Sequence, residues 1–261
     1  MNWIQGFETA KTAFEQYLDE YDRKDDKIQL KIIHTYCVVE CAEEIARRMG
    51  LSEEDVQIAK MIGLLHDIGR FEQLKRFHSF DPGTMDHAVY GAELLFGTEK
   101  MIRRFVEDDR YDALMKTAIE KHSDFKLEGV SDERTFLHAK LIRDADKLDN
   151  CRVKLEETME TLLDVDEKTV GEGVISEAVW ESCVREESVL SSDRKEKIDY
   201  WVSYLALYFD VNFQETYDII KENDYIRRIA DRVQYKNQDT QEKINLLVGK
   251  LERKCTKTGG F

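Results

Sequence analysis

The sequence predicts an all-α protein, and three features carry that prediction. Its 261 residues contain a single proline, Pro82; the glycines fall mainly between segments of helical period; and almost no stretch alternates apolar and polar residues as a strand does. Residues 1–27 are expected to supply a helix packed on the core. In IIHTYCVVECAEEIARR, Val38, Cys41 and Ile45 continue a helical stripe on which His34 stands. Ser52 with Asp55 reads as the opening of a helix through VQIAKMIGLLHD, which carries His66 and Asp67 to its end. Pro82-Gly83-Thr84 reads as a break with Thr84 as N-cap of MDHAVYGAELLF, placing His87 near a helix start. YDALMKTAIEKH is read as a helix ending near His122, and ERTFLHAKLIRDADKLDN as a fifth. Beyond residue 155, LLDVDEKTVGEGV reads as a loop, followed by three or four amphipathic helices with Ser176, Ser192 and Thr240 as caps. YWVSYLALYF, residues 200–209, is half the length of a membrane span and lies between Asp199 and Asp210, so it is expected to be a buried helix. No internal repeat of fixed period is evident.

Composition narrows the function classes. With 39 basic and 54 acidic side chains the net charge is −15, which repels DNA, RNA and anionic membranes. An anionic substrate must therefore meet a local basic patch. The five cysteines, at 37, 41, 151, 183 and 255, form no CxxC pair, so neither a disulfide framework nor a zinc ribbon is expected. A reducing cytoplasm is the expected compartment. The N-terminal stretch carries acids and lacks a basic region followed by an apolar one, so it does not read as a signal peptide.

All six histidines lie between residues 34 and 138, on separate predicted helices that a bundle can gather around one point. A lone histidine on an apolar helix face is more often a core residue than a ligand. The adjacent pair His66-Asp67 is different, because a buried carboxylate is costly without a cation, and metal coordination is one of few ways to offset that cost. An ion pair from Asp67 to Arg70 is the plainer alternative. No histidine follows His138, so the C-terminal part offers no comparable cluster.

The order His34, His66-Asp67, His87, His122, Asp146, with the segments GLLHDIGR and IRDADKLDN, resembles the HD-domain superfamily of metal-dependent phosphohydrolases. The resemblance covers roughly residues 28–155 and implies a helical bundle there; residues 156–261, outside it, are expected to be a helical extension of the same globular unit. His87 and His122 resemble the dinuclear branch. The resemblance then implies that His34, His66, Asp67 and Asp146 hold one ion and that Asp67 bridges to a second held by His87 and His122. A mixed imidazole and carboxylate set suits iron, manganese, cobalt, nickel or zinc and disfavours calcium. The choice of Asp146 rests on the resemblance. Against a core stripe of Leu137, Leu141, Ala145 and Leu148, Asp144 and Asp146 fall on opposite shoulders and Asp149 lies closer, so periodicity alone leaves the choice open and Asp149 is second. His122 is followed by Ser123 and no GYP occurs, which departs from the branch acting on cyclic dinucleotides.

The resemblance further implies cleavage of a phosphomonoester or phosphodiester of a small molecule, a nucleotide above all, by metal-activated water. Asp67, Arg70 and Lys147 are the expected catalytic residues. Arg70 and Lys147 are the first candidates to meet the phosphate, with Lys75, Arg76 and His78 nearer the mouth. For Lys75 and Arg76, a solvated helix end is an equally good account. The loops at 68–86 and 123–133 are expected to shape the pocket, and the C-terminal helices to offer a surface for a homo-oligomer. Two other classes fit the same order: a diiron oxygenase of the superfamily, and a metal-binding scaffold without activity.

Overall fold

The computed structural model describes residues 3–81 and 83–256, so the break expected at Pro82 itself lies outside the described residues. Among these there are helices and no strands. The chain forms two compact units, the first ending at Asp149 and the second beginning at Asn150. No described helix is long and apolar enough to cross a membrane.

The first unit contains α1 (Trp3–Leu18), α2 (Asp26–Arg48), α3 (Glu53–Leu65), α4 (Ile68–Phe77), α5 (His87–Phe96), α6 (Asp112–Glu120) and most of α7 (Glu133–Glu156). Asp25 opens α2 by accepting from the N–H groups of Lys27 and Ile28, and Ser52 opens α3 by accepting from Asp55 N–H. Two close approaches set the positions of the functional helices. Gly63 lets α3 lie against the backbone of α2, since a Cβ there would stand 3.2 Å from Val39 Cα. Gly69 does the same for α4 and α5: a Cβ would run into the His87 carbonyl and stand 2.8 Å from Gly91 N. α1 is pinned by aromatic packing of Phe14, Tyr17 and Tyr21 around Phe71, and the Tyr17 hydroxyl donates to the Ile68 carbonyl at 3.0 Å.

The second unit adds α8 (Met159–Leu163), α9 (Glu167–Glu172), α10 (Glu177–Val184), α11 (Lys197–Ala206), α12 (Gln214–Glu222), α13 (Tyr225–Ala230) and α14 (Gln238–Thr256). Its core is built on α11. Trp201 is fully buried there and donates its indole N–H to Tyr235 Oη at 3.1 Å. Stretch 200–209 is thus the buried helix its composition predicts, finished by a 3-10 turn at Leu207–Asp210.

Several boundaries differ from the sequence reading. The segment read as a loop at 68–86 begins with α4, whose Ile68, Phe71 and Leu74 form a short apolar stripe. The cap of α5 is Asp86, accepting from Ala88 and Val89 N–H, while the Thr84 hydroxyl donates to the Asp81 carbonyl. Ser192 lies inside a 3-10 turn and α11 is capped by Glu196. Thr240 is a buried residue of α14 whose N–H is capped by Asn237. The stretch LLDVDEKTVGEGV contains all of α9 and the end of α8. Helices this short show no hydrophobic period, and only their caps, Thr158 and Asp166, mark them.

Candidate metal centre

α3 ends at Leu65 and α4 starts at Ile68, so His66 and Asp67 form the junction between two helices. Asp67 stands at the N-cap position of α4 yet makes no capping hydrogen bond with its side chain. Its carboxylate turns inward instead and is almost fully buried. Around it α2 places His34, α5 places His87 and the turn after α6 places His122, all buried. The four imidazoles follow one another at centroid spacings of 5.5 Å (His34 to His66), 5.1 Å (His66 to His122) and 5.1 Å (His122 to His87).

The hydrogen bonds fix which nitrogens face inward. His66 Nδ1 is 2.8 Å from the Gly63 carbonyl and His122 Nδ1 is 2.7 Å from the Ile119 carbonyl. A carbonyl only accepts, so both Nδ1 atoms carry the proton and both Nε2 lone pairs are free to point into the centre. His34 Nδ1 meets Asp149 Oδ2 at 2.6 Å, which orients its ring in the same way. His66 Nε2 is buried without a hydrogen-bond partner. His34 Nε2 faces Asp146 Oδ1 at 3.1 Å out of line for a hydrogen bond. Lone pairs facing carboxylate oxygens repel unless a cation lies between them, and a divalent ion meets that need.

Asp67 divides its two oxygens between two groups. Oδ2 faces His34 Nε2 at 3.8 Å and His66 Nε2 at 3.6 Å, whereas Oδ1 faces His87 Nε2 at 3.1 Å and His122 Nε2 at 3.6 Å. The two groups, His34-His66-Asp67 and Asp67-His87-His122, can each coordinate a divalent ion, and they share the one carboxylate.

The protonation states of His66, His87 and the two carboxylates agree with that use, whereas His34, between two carboxylates, favours its protonated form until a cation displaces the proton. Burial pushes His66 down to about 3 and His87 down to about 4, so both are neutral and able to ligate at pH 7. Burial works against the charge of Asp67, but Lys31 beside it, then His66, hold its carboxyl well below the usual range. Asp146 is likewise held low against burial, through His34. Burial and Lys31 act to lower His34, yet Asp146 and Asp149 on its two nitrogens raise it above the ordinary value.

The structure brings His34, His66, Asp67, His87, His122 and Asp146 together, with Arg70 beside them. Arg70 Nε is 3.8 Å from Asp67 Oδ1 and Nη2 is 2.8 Å from His87 Nε2. Burial draws the Arg70 guanidinium below its ordinary pKa. Lys147 is buried next to Asp146 on α7. Three residues placed nearer the mouth by the sequence reading have their partners elsewhere. Lys75 lies over the Tyr21 ring, Arg76 pairs with Glu72 at 2.6 Å, and the exposed His78 approaches Asp25 at 3.6 Å. His138 bonds Asp55 at 3.0 Å, away from the centre.

Other contributors escape a reading of motifs. Lys31, one turn before His34, places Nζ 2.7 Å from Asp67 Oδ2. Gln73 accepts from Arg70 Nη1, and its amide donates to the Asp81 carbonyl and Thr84 Oγ1, tying the arginine to the turn before α5. Arg143, one turn before Asp146, donates to the His122 and Asp124 carbonyls and so fixes the turn that presents His122. Their only sequence signal is the helical spacing of three from a recognisable residue.

Compared with known proteins, residues 32–151 match the model of the HD domain family, a span just under half of the chain that holds all five clustered residues. No curated protein and no solved structure matches the chain.

Proposed function

We propose that residues 32–151, which match the HD domain family and hold the metal-ligating cluster, make the chain a metal-dependent hydrolase of that superfamily, and that it cleaves a phosphate ester of a small molecule, a nucleotide in the first instance. The observation that carries the reading is the division of Asp67, one oxygen toward each histidine pair. In this reading His34, His66, Asp67 and Asp146 hold one ion and Asp67, His87 and His122 hold the other. Divalent ions held there would supply Lewis acidity toward the phosphoryl oxygens and a hydroxide at neutral pH.

The chain's own groups set up the rest. Neutral His66 and His87 offer lone pairs without first losing a proton. Asp149 and the Gly63 and Ile119 carbonyls keep Nε2 of three imidazoles facing inward, so no reorientation is required when substrate arrives. Arg70, held by Gln73, directs a guanidinium at the place where phosphoryl charge develops. Lys147, buried and next in sequence to Asp146, is the second candidate cation for the phosphate.

The test is metal content by plasma mass spectrometry on protein purified without chelators, followed by a panel of phosphomonoesters, phosphodiesters and nucleotides. About two transition ions per chain with ester cleavage is the expected result. Full occupancy with no ester cleaved overturns the reading, and oxygen uptake by an iron-loaded sample would move the site to oxygen chemistry.

A further inference from the structure

In a chain of net charge −15, three cations converge on one half-buried ring. Lys27 Nζ, Lys31 Nζ and Arg70 Cζ stand 5.7, 5.8 and 6.0 Å from the centroid of Phe80. Lys27 is half-buried and reaches out to the His78 carbonyl, 3.0 Å from its Nζ. The other two are different. Lys31 and Arg70 keep only 14% and 13% of their side chains exposed, and each stands on its own oxygen of Asp67: Lys31 at Oδ2, Arg70 at Oδ1.

The two cations bracket one carboxylate, and the same two oxygens are the ones turned toward the histidine pairs. Asp146 acts electrostatically on both cations and Asp86 on Arg70. Ions held by the histidine pairs would draw on Asp67 and Asp146, and the two cations would then be able to meet a further anion. A second observation points to an anion: Arg70 Nε is buried and has no hydrogen-bond partner, a donor left open in a side chain otherwise tied by Gln73, the Phe80 carbonyl and His87 Nε2. Arg70 is thus a fixed donor on one side of Asp67, and Lys31, on its flexible stem, a movable one on the other.

We propose that Lys31 is a substrate-binding residue that works with Arg70 beside the Phe80 ring, and that the pair selects a phosphate carrying two negative charges, the terminal phosphate of a monoester, over the single charge of a diester. This rests on the hydrolase reading of the same site and narrows its substrate class. The charge difference is a property of the ligands: a monoester loses its second proton near pH 6 and is a dianion at pH 7.5, while a diester stays a monoanion. Two charge-assisted contacts are both used by the first and only partly by the second.

The experiment compares the full-length, manganese-loaded chain with Lys31→Met, Lys31→Arg and Lys27→Met. Binding of inorganic phosphate and of dimethyl phosphate is measured by calorimetry at pH 7.5, and manganese per chain is counted in the same samples. The native chain is expected to prefer phosphate by at least about tenfold, the discrimination of one charge-assisted contact. Lys31→Met loses most of that preference with manganese content kept. Lys31→Arg and Lys27→Met retain it. Unchanged phosphate affinity in Lys31→Met overturns the proposal, as does equal binding of the two ligands by the native chain. Should Lys31→Met not fold, Lys31→Arg decides: loss of phosphate preference with the charge retained overturns it, and retention supports it. Turnover of p-nitrophenyl phosphate and its bis-ester separates this from the broader reading. Phosphate selected through Lys31 without hydrolysis of either ester removes the hydrolase function alone, whereas hydrolysis with no dependence on Lys31 removes this proposal alone.

Discussion

Asp67 in the first unit and Asp199 in the second are both buried carboxylates beside helix starts, and they are used in opposite ways. Asp199 is fully buried and satisfied by fixed donors: its oxygens accept from Ser176 N–H at 2.8 Å, Ser176 Oγ at 2.7 Å, Lys195 N–H at 2.9 Å and Glu196 N–H at 3.0 Å. It closes the capping box of α11 and ties that helix to α10. Asp67, at the N-cap position of α4, declines the cap and faces imidazole nitrogens and two cation side chains. Backbone donors cannot leave, so a carboxylate they saturate is architecture. A carboxylate met by lone pairs and side-chain cations has partners that an ion or a substrate can replace.

The sharpest break of this comparison is to neutralise Asp67. Asp67→Asn keeps the shape but removes the shared charge, so both ions lose a ligand. Metal content should fall well below that of the native chain and ester cleavage by about 10³-fold or more, with the helical circular dichroism spectrum retained. An Asp67→Asn variant that keeps both ions and full activity would place the chemistry elsewhere.

The mirror experiment belongs to Asp199. Asp199→Ala leaves part-buried donors at Ser176, Lys195 and Glu196 without their acceptor, a loss of about 2 kcal/mol in stability read by urea denaturation, while metal content of the folded protein stays native. The acid dependence comes from the same contacts. Burial opposes the charge of Asp199, but the Ser176 hydroxyl and the N–H groups lower its pKa below the ordinary 3.8. Its stabilisation is complete above pH 3.8 and is lost as pH falls through the lowered value. The gap in stability between the native chain and the variant should therefore close below pH 3.8 and stay constant above it.

How much of this is readable in the sequence divides along the same line. The helical class and the place of His66-Asp67 at a helix end follow from periodicity and residue type along the chain, while the choice of four histidines out of six rests on the resemblance to the HD domain, and α4, directly after Asp67, falls in a stretch that reads as a loop. The roles of Lys31, Asp149 and Arg143 follow from neither, because each is defined by a partner on another helix. Asp149 meets a histidine 115 positions earlier, and Arg143 meets carbonyls in a turn with no motif. On α7 periodicity does not choose between Asp146 and Asp149. The structure gives each a face of His34, Asp146 toward Nε2 and Asp149 toward Nδ1. In the second unit, α8 and α9 are hidden by their length.

An intermediate effect is expected where orientation alone is changed. Asp149→Asn keeps a side chain beside His34 Nδ1 but removes the charge that favours an N–H there. Loss of an orienting partner of this kind weakens metal binding by about 10- to 100-fold, measured by competition with a chelating dye. The affinity of the pair His87 and His122 should be unchanged, so titration of the variant should resolve one weakened and one native site. Uniform weakening of both would show that Asp149 acts on the fold.

The smallest effect tests the edge of the site. Lys75 and Arg76 follow Asp67 within the same basic run, and on sequence alone they compete with Arg70 as phosphate contacts. In the structure Arg70 turns to Asp67 and His87, whereas Arg76 pairs with Glu72 and lies over Tyr90, and Lys75 lies over Tyr21. Exposed cations of this kind act on an anionic substrate only through screened, long-range attraction. The double variant Lys75→Ala, Arg76→Ala should raise KM by less than about twofold at 0.15 M salt and leave kcat unchanged. Arg70→Ala, one helical turn away, should lower kcat/KM by about 100-fold, since it removes a buried guanidinium aimed at the reacting group. Equal losses in the two variants would mean that the anion enters over the α4 surface and that burial does not separate the functional cations from the solvated ones.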